Sequence, residues 1–570
     1  MAAAVRTGLI PSRMSIVRGG APPVADVRNL GDALLRAARD DGRGEIRHLR
    51  ADGTEIGQSY RTLLDAASRV LQGMRRRGVK PQDKVVLRID DPPQLLAGFW
   101  ACVLGGFVPV PVGRGLSHDG LAGLRPLWRP SDRVGVLTSA ADGEAIPRPR
   151  EPAIVDLGHV ETLAEFAPAS SHHPGRWNDL AVLLLTSGST GVPKAVKLSH
   201  RNILSRCVAA TATNHLDGRV RSFNWMPLDH VGGLLMFHVR DVYLRCVQVH
   251  APRDWVLDDP LRWLDAMSHY RSTMTWAPNF AFRLVNDRAA DTSGRNWDLT
   301  ELGHIMNGGE PIAPRVIRRF LSLLEPFGLP PTAMFPGWGM SETSAGVVDS
   351  RFDPSATDLD PRYTCIGAPH AGVGIRIVDE QDALLPEGTI GLLQASGDPI
   401  TSGYHHNPEQ NRATFTADGW FRTGDLAFIE HGLLTVVGRT NEVIVIDGVD
   451  HHSHEIEAAV EELGVAESSY VVAAGVPAPA GDTDVLAVFF HPAGAADVQD
   501  AADRIRTAVQ ERFDARASFV VPVAKDDIPK TEIGKLRRLQ LRQRFETQRV
   551  DRFARDRRAT ESANRGDVWR

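Results

Sequence analysis

A chain of 570 residues is longer than one hydrophobic core organises, so two or more domains are expected. With 42% hydrophobic residues and a net charge of −5, it can build sizeable cores and lacks the basic excess of a general nucleic-acid binder. Cys102, Cys207, Cys246 and Cys365 are scattered with no CxxC pair, which argues against a zinc ribbon or disulfide scaffold and fits a reducing cytoplasm.

Met1 to Pro23 carries Arg6, Arg13 and Arg18 but no apolar core of the secretory kind; a transit-like segment is the alternative reading. From Tyr60, the residues Leu63, Leu64, Ala67, Val70, Leu71 and Met74 recur at helical spacing, and Gly78 closes that helix. Val85-Val86-Leu87 then begins a strand. Leu95 to Val112 is the nearest approach to a membrane span, but Gly105, Gly106, Pro109 and Pro111 interrupt it. A buried helix running into a strand is predicted there, with no membrane span. Helix and short apolar strand keep alternating through Val108–Val110, Val134–Leu137 and Ala181–Leu185, which indicates an α/β domain with largely parallel sheets.

The apolar run Ala181–Leu185 delivers the chain into Thr186-Ser187-Gly188-Ser189-Thr190-Gly191, with Lys194 after Pro193 and a second strand-like run ending at Ser199-His200. Such a loop can turn its backbone N–H groups inward as an anion nest, hydroxyls and one lysine adding donors around a phosphate. It is not the Walker pattern, having no Gly-Lys-Ser/Thr. Further on, the glycines of Asn307-Gly308-Gly309-Glu310-Pro311 would let a flat ring lie close to the backbone. In Phe335-Pro336-Gly337-Trp338-Gly339-Met340-Ser341-Glu342, Trp338 offers an aromatic face for a base. Ser341 offers a phosphate donor and Glu342 a hard oxygen ligand suited to Mg²⁺.

Composition changes after about residue 436. Gly438 to Asn441 forms a polar break, followed by a helix around His454–Leu463 and strands at Tyr470–Ala474 and Val485–Phe490. The domain reading is an extension over 1–34, a large domain over 35–437, a small α+β domain over 438–540 and a charged, solvated tail over 541–570. His451, His452 and His454 lack partner ligands at metal-site spacing.

The loop Thr186–Lys194 and the segment Gly337–Glu342 resemble the phosphate loop and the Tyr-Gly-x-Thr-Glu motif of the adenylate-forming superfamily. Asp418-Gly419-Trp420-Phe421-Arg422-Thr423-Gly424-Asp425 and Pro529-Lys530-Thr531-Glu532-Ile533-Gly534-Lys535 are similar to two further motifs, in the expected order. The resemblance implies a large N-terminal adenylate-forming domain of mixed sheets and helices, with a small mobile α+β C-terminal lid and the active site between them. It implies ATP and Mg²⁺ as cofactors, with Glu342 as metal ligand. Trp338 would stack on adenine beside Gly309, Glu310 and Gly339, Asp425 would hold the ribose, and Arg439 would contact sugar and phosphate. Lys535 would be the catalytic lysine and Asn441 the hinge residue, where relatives carry Asp or Lys.

By the same resemblance His230 gates an acid pocket lined by Val231, Gly232, Trp276, Pro278, Asn279, Phe280 and Gly337. Amino-acid-activating relatives place an Asp after the gate; Val231 stands there, implying a carboxylic acid without an α-amino group, fatty or aryl. The strings Pro260–Leu264, Ala277–Phe280 and Gly448–Glu457 are most similar to fatty acyl-AMP ligases and acid-loading domains of polyketide/peptide hybrid synthases, though Gly346 to Cys365 is short for the ligases' insertion. The acceptor implied is the phosphopantetheine thiol of an acyl or peptidyl carrier protein on another chain. CoA is the alternative, less suited to the apolar, acidic stretch Glu442–Asp447; a nucleotide-binding module without turnover is the third reading.

Overall fold

The computed structural model describes residues 13–40, 44–113, 124–142, 154–186, 193–355, 362–446, 448–478, 484–494, 497–531 and 533–547. The chain divides into two compact units, Met1–Val437 and Gly438–Arg570.

In the large unit, helix Tyr60–Arg76 starts where Ser59 caps it by accepting from Thr62 N at 3.0 Å, and it ends before Gly78 at φ +82°. Leu63, Ala67, Val70, Leu71 and Met74 are buried, and Leu64 is half-buried. The apolar stretch after residue 92 is the buried helix Pro92–Gly105, ended by Gly106 in the left-handed conformation and followed by strand Val108–Pro111. Among the described residues no helix is long and apolar enough to cross a membrane.

Strand Val108–Pro111 belongs to a parallel sheet with Lys84–Arg88, Val134–Thr138 and Ile154–His159. Val86, Val108, Val110, Val134 and Val136 share a core cluster with Leu183 and Ala195, so the hairpin carrying the phosphate-loop motif packs on this sheet. A second sheet of eight strands is parallel from Met334–Met340 through His304–Gly308, Met274–Ala277, Arg221–Asn224 and Val247–His250 to Glu45–Leu49. Its edges, Ala345–Asp349 and Glu55–Ser59, are antiparallel. Ligand sites in such sheets gather where parallel strands end. Here Trp276, Asn307, Gly308 and Gly337 lie side by side through the pairs Trp276↔Met306, Ala277↔Asn307 and Gly308↔Gly337.

The expectation of largely parallel sheets holds for these two and not for a third. Ile16–Arg18, Val373–Val378, Gly391–Gly397, Phe421–Glu430, Leu433–Arg439 and Cys365–Gly367 form a six-stranded sheet whose described pairings are antiparallel.

In the small unit, strands Ala466–Pro477, Asp484–Pro492 and Ala517–Pro522 make one sheet, and Val443–Ile446 pairs with Val449–His452. Strand periodicity sorts the side chains. Val471, Ala473, Leu486 and Val488 face helices Ser453–Glu461 and Val498–Phe513, while Val472, Ala474, Ala487 and Phe489 cover Ile528 and Leu541 on the other side. Residues 538–547 are helical; the remainder of the predicted tail lies outside the described residues.

Candidate active site

Strands Leu180–Thr186 and Lys194–Ser199 pair antiparallel with Thr186 opposite Lys194, so these two residues bracket the phosphate-loop motif. Ser187, Gly188, Ser189, Thr190 and Gly191 lie outside the described residues. The segment after Pro399 docks along the second strand. Lys197 N donates to Gly403 O at 3.0 Å, His405 N to Ala195 O at 2.8 Å, and Thr401 Oγ1 to Lys197 O at 2.6 Å. This places the Tyr404 ring 5.3 Å from Lys194 Nζ, while the Tyr404 hydroxyl donates to Glu342 Oε1 at 2.9 Å. Glu342 is buried, and its backbone oxygen accepts from Thr401 N at 2.7 Å. One tyrosine thus couples the lysine of the phosphate loop to the carboxylate read as a metal ligand.

Trp338 Nε1 donates to Asp425 Oδ2 at 2.8 Å, and both residues are buried. The indole presents a flat face, and its N–H fixes the carboxylate opposite. Asp425 N is held in turn by Thr423 Oγ1 at 3.0 Å. Gly339 has no room for a side chain, because a Cβ would lie 2.1 Å from Ala345 O. Ser341 opens the 3-10 turn Ser341–Thr343, which carries Glu342. Gly309 is at φ +88°, and Glu310 Oε1 accepts from Phe280 N at 2.6 Å, holding the first turn of helix Asn279–Asp287.

At the gate, the His230 and Trp276 rings are parallel within 6° with centroids 6.1 Å apart, and His230 Nδ1 accepts from Gly232 N at 3.1 Å. That acceptor role requires the neutral ring with its proton on Nε2. A Cβ on Gly232 would come within 2.3 Å of the Trp276 ring, so the indole lies directly on glycine backbone. Val231 is buried at the start of the π-helix Gly232–Val239, a geometry frequent at functional sites. Pro278 precedes helix Asn279–Asp287, and Asn279 Oδ1 accepts from Asn307 Nδ2 at 3.3 Å. The nearest atoms to a Cβ added to Gly337, Met306 Cε, Asp349 Cβ and Val348 O, stand at 3.6 Å, so a small side chain would make ordinary contacts there.

Comparison with known proteins fits this arrangement. Residues 37–405 match the family model described as AMP-binding enzyme. The chain belongs to this adenylate-forming family. It is 31% identical over 541 residues to Aspulvinone E synthetase melA of Aspergillus terreus, covering 90% of this chain and 57% of that protein. It therefore spans little more than half the length of that relative. Among solved structures, a keto acid-selecting NRPS module with adenylation, ketoreductase and pseudo Asub domains matches at 35% identity and TM-score 0.89, covering 96% of this chain and 48% of that one. McyG A-PCP complexed with phenylalanyl-adenylate matches at 32% identity and TM-score 0.87, covering 96% of this chain and 88% of that one.

The remaining residues expected at the site from the sequence lie in the small unit. Arg439 and Asn441 are exposed at the end of strand Leu433–Arg439 and in the turn Thr440–Glu442. Lys535 leaves a tight turn closed by Gly534 N to Thr531 O at 2.9 Å and Thr531 N to Lys535 O at 2.8 Å, with Gly534 at φ +81°. Arg538 anchors this turn through a two-pronged ion pair with Glu457, both contacts 2.7 Å. Sequence reasoning missed Tyr404 and Arg538. Tyr404 sits in an undistinguished Ser-Gly-Tyr-His stretch, and its signal was only that an aromatic follows a Gly between two motifs.

Proposed function

We propose that the chain activates a carboxylic acid lacking an α-amino group, with a 2-oxo acid as the leading candidate, and passes the acyl group to a carrier-bound thiol. The carboxylate attacks the α-phosphorus of ATP in line; the new C–O–P linkage forms as the bond to the β-phosphate oxygen breaks and pyrophosphate leaves. Trp338 and Asp425 hold adenine and ribose, and Lys194 with its loop takes the outer phosphates. Mg²⁺ held at Glu342 would neutralise phosphate charge, which suits a buried carboxylate kept in place by the Tyr404 hydroxyl. Lys535 balances the charge that develops between the acid and the α-phosphate. Holding both reactants in register is worth roughly 7–11 kcal/mol.

The observation that carries this reading is the meeting of distant motifs in the large unit: Lys194, Tyr404 and Glu342 on one side, Trp338 with Asp425 on the other. The acid assignment is supported by the apolar Val231 after the gate and by the likeness to the keto acid-selecting module. The phosphopantetheine acceptor is supported by the likeness to the A-PCP structure, in place of CoA. ATP–pyrophosphate exchange with a panel of 2-oxo, aryl, fatty and L-amino acids tests the reading. Exchange is expected with a 2-oxo, aryl or fatty acid, the 2-oxo acids giving the highest kcat/KM. Exchange with amino acids alone, or with none of the panel, would contradict it. Mass detection of the product on a carrier protein or on CoA separates the two acceptors.

A further inference from the structure

We propose that Asp132, His405 and His406 form a binding site for one divalent transition-metal ion of the zinc type, outside the nucleotide site. Among the described residues these three alone bring a set of metal-ligating atoms together, all within 4.8 Å of one another. His406 Nε2 lies 2.7 Å from Asp132 Oδ2, and His405 Nε2 lies 3.9 Å from the same oxygen. His405 is nine-tenths buried, and its Nε2 has no hydrogen-bond partner although it points into the cluster. A buried imidazole nitrogen left unpaired gives up its hydrogen bond to water with nothing in return, a loss that coordination would recover.

The backbone is shaped for the same end. Successive side chains on an extended chain diverge, yet His406 is at φ +49° and the two imidazole centroids are 3.8 Å apart. That left-handed residue turns both rings toward one carboxylate. Asp132 is itself fixed from outside: Arg129 N donates to Oδ2 at 2.8 Å and Lys84 Nζ to Oδ1 at 3.3 Å. Outer partners of this kind orient a metal-binding carboxylate, although the Lys84 charge lowers the affinity. Two imidazoles and one carboxylate suit zinc, with water completing a tetrahedron whose ligand atoms stand roughly 3.4 Å apart. Small side-chain rotations reach that spacing from 2.7 and 3.9 Å. The ion would tie residues 404–406 to the turn before strand Val134–Thr138. Because Tyr404 donates to Glu342, the tie would steady the carboxylate of the proposed ATP site.

The test uses the tag-free full chain, stripped with chelator and titrated with Zn²⁺ against a chromogenic competitor, then with Co²⁺ for its visible d–d absorption. One equivalent per chain is expected, with a Co²⁺ spectrum typical of low coordination number. His405→Asn, His406→Asn and Asp132→Asn should each weaken binding at least about tenfold. His452→Asn in the small unit should leave it unchanged. Retained ATP binding reports that a variant is folded; if His405→Asn fails that check, the more exposed His406 decides. The absence of stoichiometric binding, or equal affinity in His406→Asn and the parent, would overturn the proposal. Acid-dependent ATP–pyrophosphate exchange bears on the adenylation reading independently of this result.

Discussion

The side chains read as nucleotide contacts in the large unit are tied down by buried partners from distant segments, whereas the lysine of the small unit sits on a tight turn whose backbone hydrogen bonds are local. Trp338 is fixed by Asp425 across 87 residues, and Glu342 by Tyr404 across 62. The described backbone bonds around Lys535 are local, between residues 529 and 537, and the Arg538–Glu457 pair joins the turn to the body of the small unit together with Lys530, 3.3 Å from the Tyr470 ring centroid, and Leu536 packed on the sheet. The contrast matches the proposed division of labour. Binding groups gain from being organised in advance. A group that must deliver charge at one step and withdraw for the next gains from a self-contained mount.

The largest effect is expected where that mount is anchored. Burial pushes the Glu457 carboxyl up while Arg538 pulls it down, so removing the arginine leaves a buried carboxylate without its ion-pair partner, with Ala473 N still donating to Oε1 at 3.0 Å. Arg538→Ala should destabilise the small unit by about 3 kcal/mol. Ten of the eleven tryptophans lie within residues 1–437, so the main tryptophan-detected transition should not move, while limited proteolysis should open sites within 438–547. A shift of the tryptophan transition instead would dissolve the contrast between the two units.

Acid should act in the opposite sense. His238 accepts from Trp100 Nε1 at 2.8 Å and sits 2.8 Å from Gln248 Oε1, so it is neutral in the fold, and burial brings it to about 3. Burial likewise brings His200 and His304 to about 4 in the large unit, and His454 to about 3 in the small one. Unfolded imidazoles titrate near 6.5, so between pH 6.5 and about 4 the unfolded chain takes up protons that the folded chain refuses. Stability is therefore fully present above pH 6.5 and falls by about 1.4 kcal/mol per pH unit for each such imidazole. Tryptophan-detected melting should drop steeply over that window, with the small unit less affected. A flat profile would mean these rings are protonated in the fold.

A smaller effect separates positioning from chemistry at Glu342. Tyr404→Phe keeps the ring near Lys194 and removes the donor to Oε1. Loss of one hydrogen bond to a charged group should cost about 1.5 kcal/mol, close to tenfold in kcat/KM for ATP. Added Mg²⁺ should recover part of it. An unchanged kcat/KM would remove Tyr404 from the account.

The motif segments, the helix Tyr60–Arg76 and the strands beside the phosphate loop were legible because short-range rules govern them: a hydrophobic period, a cap, a glycine where φ is positive. The antiparallel sheet was not. Phe421–Glu430 alternates like any half-exposed strand while Val373–Val378 is buried throughout, and only their pairing, set by residues far apart in the chain, reveals the sheet. The same limit hid Tyr404. A tyrosine near position 404 has no local signature, and its role arises from Lys194 and Glu342, each well separated from it in sequence. The role of the indole at 338 was half legible: its face could be read from the motif, and its bond to Asp425 required the fold.

The most direct measurement compares Lys535→Ala with Lys194→Ala for ATP affinity and for single-turnover adenylate formation. Lys535→Ala should slow adenylate formation by about 10²–10³-fold and change ATP affinity only a few-fold, as for loss of a group acting on developing charge. Lys194→Ala should weaken ATP use only a few-fold, because the backbone N–H groups of a nest remain. Equal losses from the two substitutions, or loss of ATP binding with Lys535, would contradict the assignment of binding to one unit and charge delivery to the other.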